Sequence, residues 1–350
     1  LETGIFRLMN WRRHLAGLAA GAMCFLIGAL RPAAIPETYR IAGQAQGTTY
    51  AVTWYADRES VNKTQIDSIF KSLDASLSIY LPGSLISRFN ASREGIEMDG
   101  HFARVIDKSM QIYRETGGFF DMTVYPLVRA WGFGAKAADT MPDSAAIREL
   151  LGCVGSDKLR VSGRRLLKTN PCVQVDVNGI AQGYSVDVVA GFLEAHGIAN
   201  YMVEVGGEIR TKGRKVPGNA SFKIGIETPS LTESDAPVIR EVISIGDRAV
   251  TTSGSYRKFR DSGRMRLSHI IDPKTGFPVQ REIISATVVA PDAITADGFD
   301  NALLAAGVDG AFEILRTQPE IEAYLIYRKP DGSVADTCSV GFGKYLTADR

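Results

Sequence analysis

Two hydrophobic periods share this chain, and their order does not follow a regular strand–helix alternation. "YRIAGQAQGTTYAVTWYA" (39–56) alternates with period two around a turn at Gly47, as half-buried strands do. "KTQIDSIFKSLDASLSIY" then places Ile66, Ile69, Phe70, Leu73 and Leu77 at helical spacing. "HFARVIDKSMQIYRETGG" repeats that spacing with Phe102, Val105, Ile106, Met110 and Tyr113 until Gly117 and Gly118 stop it. Residues 158–177 read as a hairpin turning at Ser162 and Gly163, and "GYSVDVVAGFLEAHG" as a helix closed by Gly197. The rest is strand-rich: "NYMVEVGGEIRTKG", "FKIGIET", "REVISIG", "AVTTSG", "ISATVVAP" and "EAYLIYR", interrupted by "DAITADGFDNALLAAG", a predicted helix ending at Gly307. Mixed strand runs with scattered helices predict an α+β fold over a βαβ series. No internal repeat or strong boundary divides the chain, so residues 38–350 read as one domain.

Composition excludes several classes. The 350 residues are 45% hydrophobic and 23% charged with a formal net charge of +1, which is globular and gives no basic surface for nucleic acid. The N-terminus stands apart: "WRRH" precedes sixteen uncharged residues, "LAGLAAGAMCFLIGAL" (15–30). A basic flank and a short apolar run read as a signal peptide over residues 1–32, since a bilayer span needs about 20 apolar residues. Export to the periplasm is the expectation, with a membrane or lipid anchor (Cys24) as the lesser alternative. In an oxidising compartment Cys153 and Cys172, flanking the predicted hairpin, are the pair placed to join; free thiols are the other reading.

Chemistry-bearing residues are sparse. In "TADGFDNAL", Asp297, Asp300 and Asn301 share one helix face at i, i+3 and i+4, opposite apolar Ala296, Leu303 and Leu304. Oxygen ligands of this kind suit Mg²⁺. Spacing alone equally describes a solvated face, and either way the carboxylates are expected to face outward. "VDVNGIAQGYSVD" (175–187) sets a strand ending at Asp176 before a Gly-bracketed turn and a helix start, where backbone groups can approach an anion. It is neither a Walker loop nor a dinucleotide fingerprint. Of four histidines, only His269, in "SHIIDPKTGFPV", lies among turn-punctuated segments clear of the leader and of helix ends. It is either a structural histidine or a general base.

Taken together, "GTTY", "SIYLPGSLISRFN", "TGGFFDMTVYPLVRAWGFG", "VDVNGIAQGYSVD", "EVGGEI", "TTSGSYRKF", "SHIIDPKTGFPV" and "VVAPDAITADGFDNAL" resemble, in order and spacing, the ApbE family of FAD:protein FMN transferases, over about residues 42–346. The resemblance implies a T-fold-like arrangement of mainly antiparallel sheets with packed helices and FAD in a central cleft. It implies a Mg²⁺-dependent enzyme that moves FMN from FAD to a Thr or Ser hydroxyl of a target protein and releases AMP. It puts Asp297, Asp300, Asn301 and the carbonyl of Gly179 on the metal; Gln46, Tyr80, Phe119, Phe120, Asp121, Asp176, Gln182 and Ile271 around FAD; and His269 at the acceptor hydroxyl. The implied acceptor is a flavin-carrying subunit of a Rnf- or Nqr-type redox complex, with inner-membrane association. Gln46, Gln182 and Asn301 depart from the commoner pattern, where Met, Lys or Glu, and Thr stand. Hydrolysis of FAD to FMN and AMP, and flavin binding without turnover, are the competing readings.

Overall fold

The computed structural model describes residues 36–347 except 136–137, 139, 229–237, 255–258 and 262–265; the leader read over residues 1–32 lies outside them. β1 (Glu37–Ala45) and β2 (Thr48–Ala56) form the hairpin that the alternation predicts. Gln46 and Gly47 both take positive φ, 52° and 75°, in its two-residue turn, the twist that a tight hairpin requires. β2 buries Tyr50, Val52 and Trp54 on one face. Against that face lies α1 (Lys63–Leu77), started by an Asn62–Gln65 capping box and burying Ile66, Phe70, Leu73 and Leu77. Each such aliphatic side chain contributes about 1.5–3 kcal/mol by leaving water.

The main sheet adds β6 (Asn200–Val205), β7 (Glu208–Lys212), β10 (Ala249–Gly254), β13 (Ile283–Ala290), β14 (Glu322–Arg328) and β15 (Val334–Cys338). Its order is β1-β2-β6-β7-β10-β13-β14-β15, every neighbour antiparallel. α6 (Ala181–Ala195) and α7 (Ala293–Leu315) share with α1 the core on one face. The other face is covered at β10, β13 and β14 by the hairpin of β8 (Phe222–Glu227) and β9 (Ile239–Ile245), through Ile226, Ile243 and Ile245 with Phe342 and Tyr345. Hence "ISATVVA" has little polar alternation: Val288 and Val289 enter different cores.

Around this frame lie α2 (Leu85–Ala91), β3 (Gly95–Glu97), α3 (Gly100–Glu115), α4 (Tyr125–Ala130), α5 (Ser144–Leu151), β4 (Leu159–Ser162), β5 (Arg165–Lys168) and the short ribbon of β11 (Phe259–Asp261) and β12 (Arg266–Ser268). Cys153 and Cys172 are joined across the β4–β5 hairpin, Cα to Cα 5.4 Å. Two sequence expectations need correction. The segment ending at Asp176 pairs with no strand. Asn90 takes a neighbour's place, donating to Val175 O (2.8 Å) and accepting from Val175 N (2.7 Å), while Asp176 N donates to Met122 O. The helix expected to end at Gly307 does break there (φ 76°, ψ 173°), but helical structure resumes to Leu315.

Candidate functional site

α7 and α6 cross closely enough that a Cβ on Gly183 would lie 2.2 Å from Ala293 O and 2.7 Å from Asp297 Cβ. Asp187 braces the crossing: its carboxylate accepts from Ala293 N (3.0 Å) and Ile294 N (2.8 Å) at the α7 N-terminus and pairs with Arg210 at 2.7 Å. The first turn of α6 in turn offers an amide to α7, Gly183 N donating to Asp297 Oδ2 at 2.8 Å.

This crossing buries the two carboxylates that spacing placed on an outward face. Asp297 is 4% and Asp300 1% exposed, because β10 and β13 cover the flank of α7 that helical spacing alone leaves open. Burial pushes the Asp297 carboxyl up to about 7, the Gly183 amide opposing and the Asp187 charge adding. Asp300 is raised well above the carboxylate range, first by burial and then by the charge of Asp297, with Glu208 contributing. A charge-deficient centre of this kind is what a bound cation relieves.

The remaining oxygens gather around Asn301. Its Nδ2 donates to Asp300 Oδ1 (2.9 Å) and Asp297 O (3.0 Å) and reaches Gly179 O at 3.4 Å; its Oδ1 accepts from Ser253 Oγ at 3.2 Å. A side chain on Gly179 would press on this amide, 3.3 Å from Nδ2, and on Phe120. Among the described residues no group of three or more His, Cys, Asp or Glu side chains gathers. Two carboxylates and a main-chain carbonyl, beside an amide whose oxygen a turn of the Asn301 side chain would bring to them, offer the hard oxygen donors that fit Mg²⁺, which keeps remaining positions for water and phosphate.

Next to this centre, the turns β1–β2 and β6–β7 converge on the start of α6. Gln46 Nε2 donates to Ser185 Oγ at 2.8 Å, while Gln46 Oε1 is buried with no hydrogen-bond donor among the described residues. Gln182 packs on the β6–β7 turn, where a Cβ on Gly206 would fall 2.1 Å from its Nε2. An orphaned buried oxygen beside a helix start fits a polar ligand edge, so the residues present also suit FAD.

The aromatic residues form the adjoining wall. Phe120 is buried beside Gly179, and the Phe119 ring carries the Lys274 ammonium 3.5 Å from its centroid. Tyr80 is exposed; burial of its hydroxyl raises its pKa, and the Asp176 charge adds to the rise. Asp121, the residue after Phe120, is buried. Its carboxylate accepts from Thr123 N and Oγ1 and from Ser156 N and Oγ at 2.6–3.1 Å, tying the Phe119–Phe120 loop to the segment before β4.

His269 follows β12 on a loop fixed at several points. Ile271 bridges to Pro278, Trp131 Nε1 donates to Gly276 O at 2.8 Å, and Asp272 Oδ1 accepts from Lys274 N at 2.8 Å. Ile271 packs in the cluster of Leu127, Trp131 and Ile147, and the His269 ring meets Phe133 edge-on at 6.5 Å. Lys274 joins this loop to Phe119. A groove lined by Trp131, Leu267, Asp272, Phe277, Pro278 and Val279 borders the same loop, and neither Asp297 nor Asp300 lines it. Ser185, Ser253 and Asp187 escaped the sequence reading as individual residues: all three lie in quoted motifs, but as plain members of a helix or strand.

The ApbE family profile matches residues 46–325, spanning every group just described. This chain belongs to the ApbE family. It is 35% identical over 342 residues to the FAD:protein FMN transferase of Haemophilus influenzae, covering 94% of this chain and 97% of that relative. The solved flavin transferase ApbE of Vibrio cholerae superposes with a TM-score of 0.80 at 34% identity, covering 89% of this chain and all of the other. The apo flavinyl transferase ApbE of Pseudomonas stutzeri gives a TM-score of 0.80 at 28% identity over 91% of this chain. The ApbE fold is thus the α+β arrangement expected from the hydrophobic periods, with its sheet mainly antiparallel.

Proposed function

We propose that this chain is an FAD:protein FMN transferase that works with Mg²⁺ and modifies a Thr or Ser of an exported or membrane-bound acceptor. The observation that carries the reading is the buried Asp297–Asp300 pair, with Asn301 linking Asp300 to the Gly179 carbonyl, in a chain of the ApbE family. Asp297, Asp300, Gly179 O and Asn301 would hold the cation, which when bound neutralises pyrophosphate charge. Gln46, Gln182 and the start of α6 receive the polar parts of FAD, and Phe119, Phe120 and Tyr80 the flat rings. His269 takes the proton of the acceptor hydroxyl. Its oxygen bonds to the FMN-side phosphorus as the bond from that phosphorus to the bridging oxygen breaks, and AMP leaves with that oxygen. In-line positioning and charge neutralisation supply most of the acceleration, and a general base typically adds about 10²–10⁴.

The acceptor of choice is a flavin-carrying subunit of a Rnf- or Nqr-type redox complex, met on the periplasmic side of the inner membrane. Incubating such a subunit with the protein, FAD and Mg²⁺ should add the mass of FMN and release AMP in equal amount. His269→Ala should still bind FAD but label at least about 10²-fold more slowly. AMP release without labelling would instead identify an FAD pyrophosphatase.

A further inference from the structure

Resting on that Mg²⁺ reading, we infer that Asn301 is an internal stand-in for the cation, so that its amide competes with the metal for the same oxygens. The orientation of the amide follows from its neighbours. Gly179 O and Asp297 O are main-chain carbonyls and can only accept, at 3.4 and 3.0 Å, and Asp300 Oδ1 is the third oxygen on that side, at 2.9 Å. On the opposite side stands Ser253 Oγ at 3.2 Å, a hydroxyl that both donates and accepts. The NH₂ end therefore belongs among the three oxygens, and Ser253 completes the arrangement by donating to Oδ1.

Two polar hydrogens thus sit where the candidate ligands converge. They lie against Asp300 Oδ1, an oxygen of a buried carboxylate. A cation held by these same oxygens would have to displace Nδ2 from them. The amide then has to turn, and Ser253 can partner it in either orientation because its hydroxyl reverses role. The metal-free centre is held in shape, and every uptake of metal breaks hydrogen bonds that a shorter side chain would never make.

The test is Asn301→Thr, with Asn301→Ser as a second variant. Each keeps one oxygen to offer but is too short to donate to all three acceptors. Folding is checked by circular dichroism, metal-free stability by thermal unfolding in EDTA, and Mg²⁺ affinity by calorimetry. Losing the stand-in should lower the metal-free Tm by several degrees and tighten Mg²⁺ binding by about 5-fold or more, the equivalent of about one lost hydrogen bond. In ¹⁵N-labelled wild-type protein the Asn301 NH₂ pair, identified by its loss in the variants, should exchange slowly without metal and shift on Mg²⁺ titration. Variants with unchanged metal-free Tm, weaker Mg²⁺ binding, or an NH₂ pair that stays put while the wild type takes up Mg²⁺ would overturn the stand-in alone. A wild type that takes up no Mg²⁺ would remove the metal reading and the stand-in with it.

Discussion

Asp297 and Asp300 carry charge in a place that resists it. In metal-free protein Asp297→Asn keeps the shape and an oxygen for Gly183 N while removing a buried charge, so at pH 8 in EDTA its Tm should equal or exceed that of wild type. Asp297→Ala should lose about 1–3 kcal/mol by urea unfolding, since a void replaces the carboxyl. Both should lose Mg²⁺-dependent transfer. Lys168 gives a second case: its ammonium, near the Phe89 ring and Ser92 O, is buried enough that its pKa falls from 10.5 to about 8. A folded-state pKa below the unfolded value means that the unfolded chain binds more protons between those pH values. Stability attributable to Lys168 should therefore rise from pH 8 to 10.5, and Lys168→Met should remove that rise in pH-dependent unfolding. At this scale the sequence was informative about identity and poor about environment. Spacing singled out the face bearing Asp297, Asp300 and Asn301, yet no local pattern records that β10 covers it, or that Asp121 spends its oxygens on Ser156.

Elements meet here through missing side chains. Gly183→Ala drives a methyl into Ala293 O and Asp297 Cβ, so α6 and α7 must part; a loss of at least about 2 kcal/mol is expected, together with weaker Mg²⁺ binding in calorimetry. Gly307→Ala imposes a side chain on a φ of 76° and should cost about 1–3 kcal/mol. That break lies beyond the carboxylates, so the Mg²⁺ affinity of this variant should match wild type. The four longer helices and most strands were legible because their periods are set by their own residues, whereas the short helices α2, α4 and α5 were not read. The segment before Asp176 misled because alternation marks an extended backbone without saying what it pairs with. A single Asn90 amide does the work of a strand.

Over the whole molecule, the disulfide closes a short loop around the β4–β5 hairpin. Removing it by Cys153→Ser with Cys172→Ser should cost about 3 kcal/mol, read as a lower Tm that is insensitive to reductant. Export is a separate proposal: residues 9–40 fused to a reporter active only outside the cytoplasm should give signal, and a silent reporter would count against it. Sheet order was beyond the sequence, because β2 beside β6 and β7 beside β10 join segments that no short window contains. The same order has a consequence for how the protein comes into being. Gln46 and Gln182 belong to parts of the chain that emerge long before α7, while both buried carboxylates arrive near the end of synthesis. A partial chain can gather the turns proposed to receive a flavin while the carboxylates proposed to hold an ion are still to be made. On the Mg²⁺ reading, the ion-binding group is complete only once the last large helix has closed against the rest.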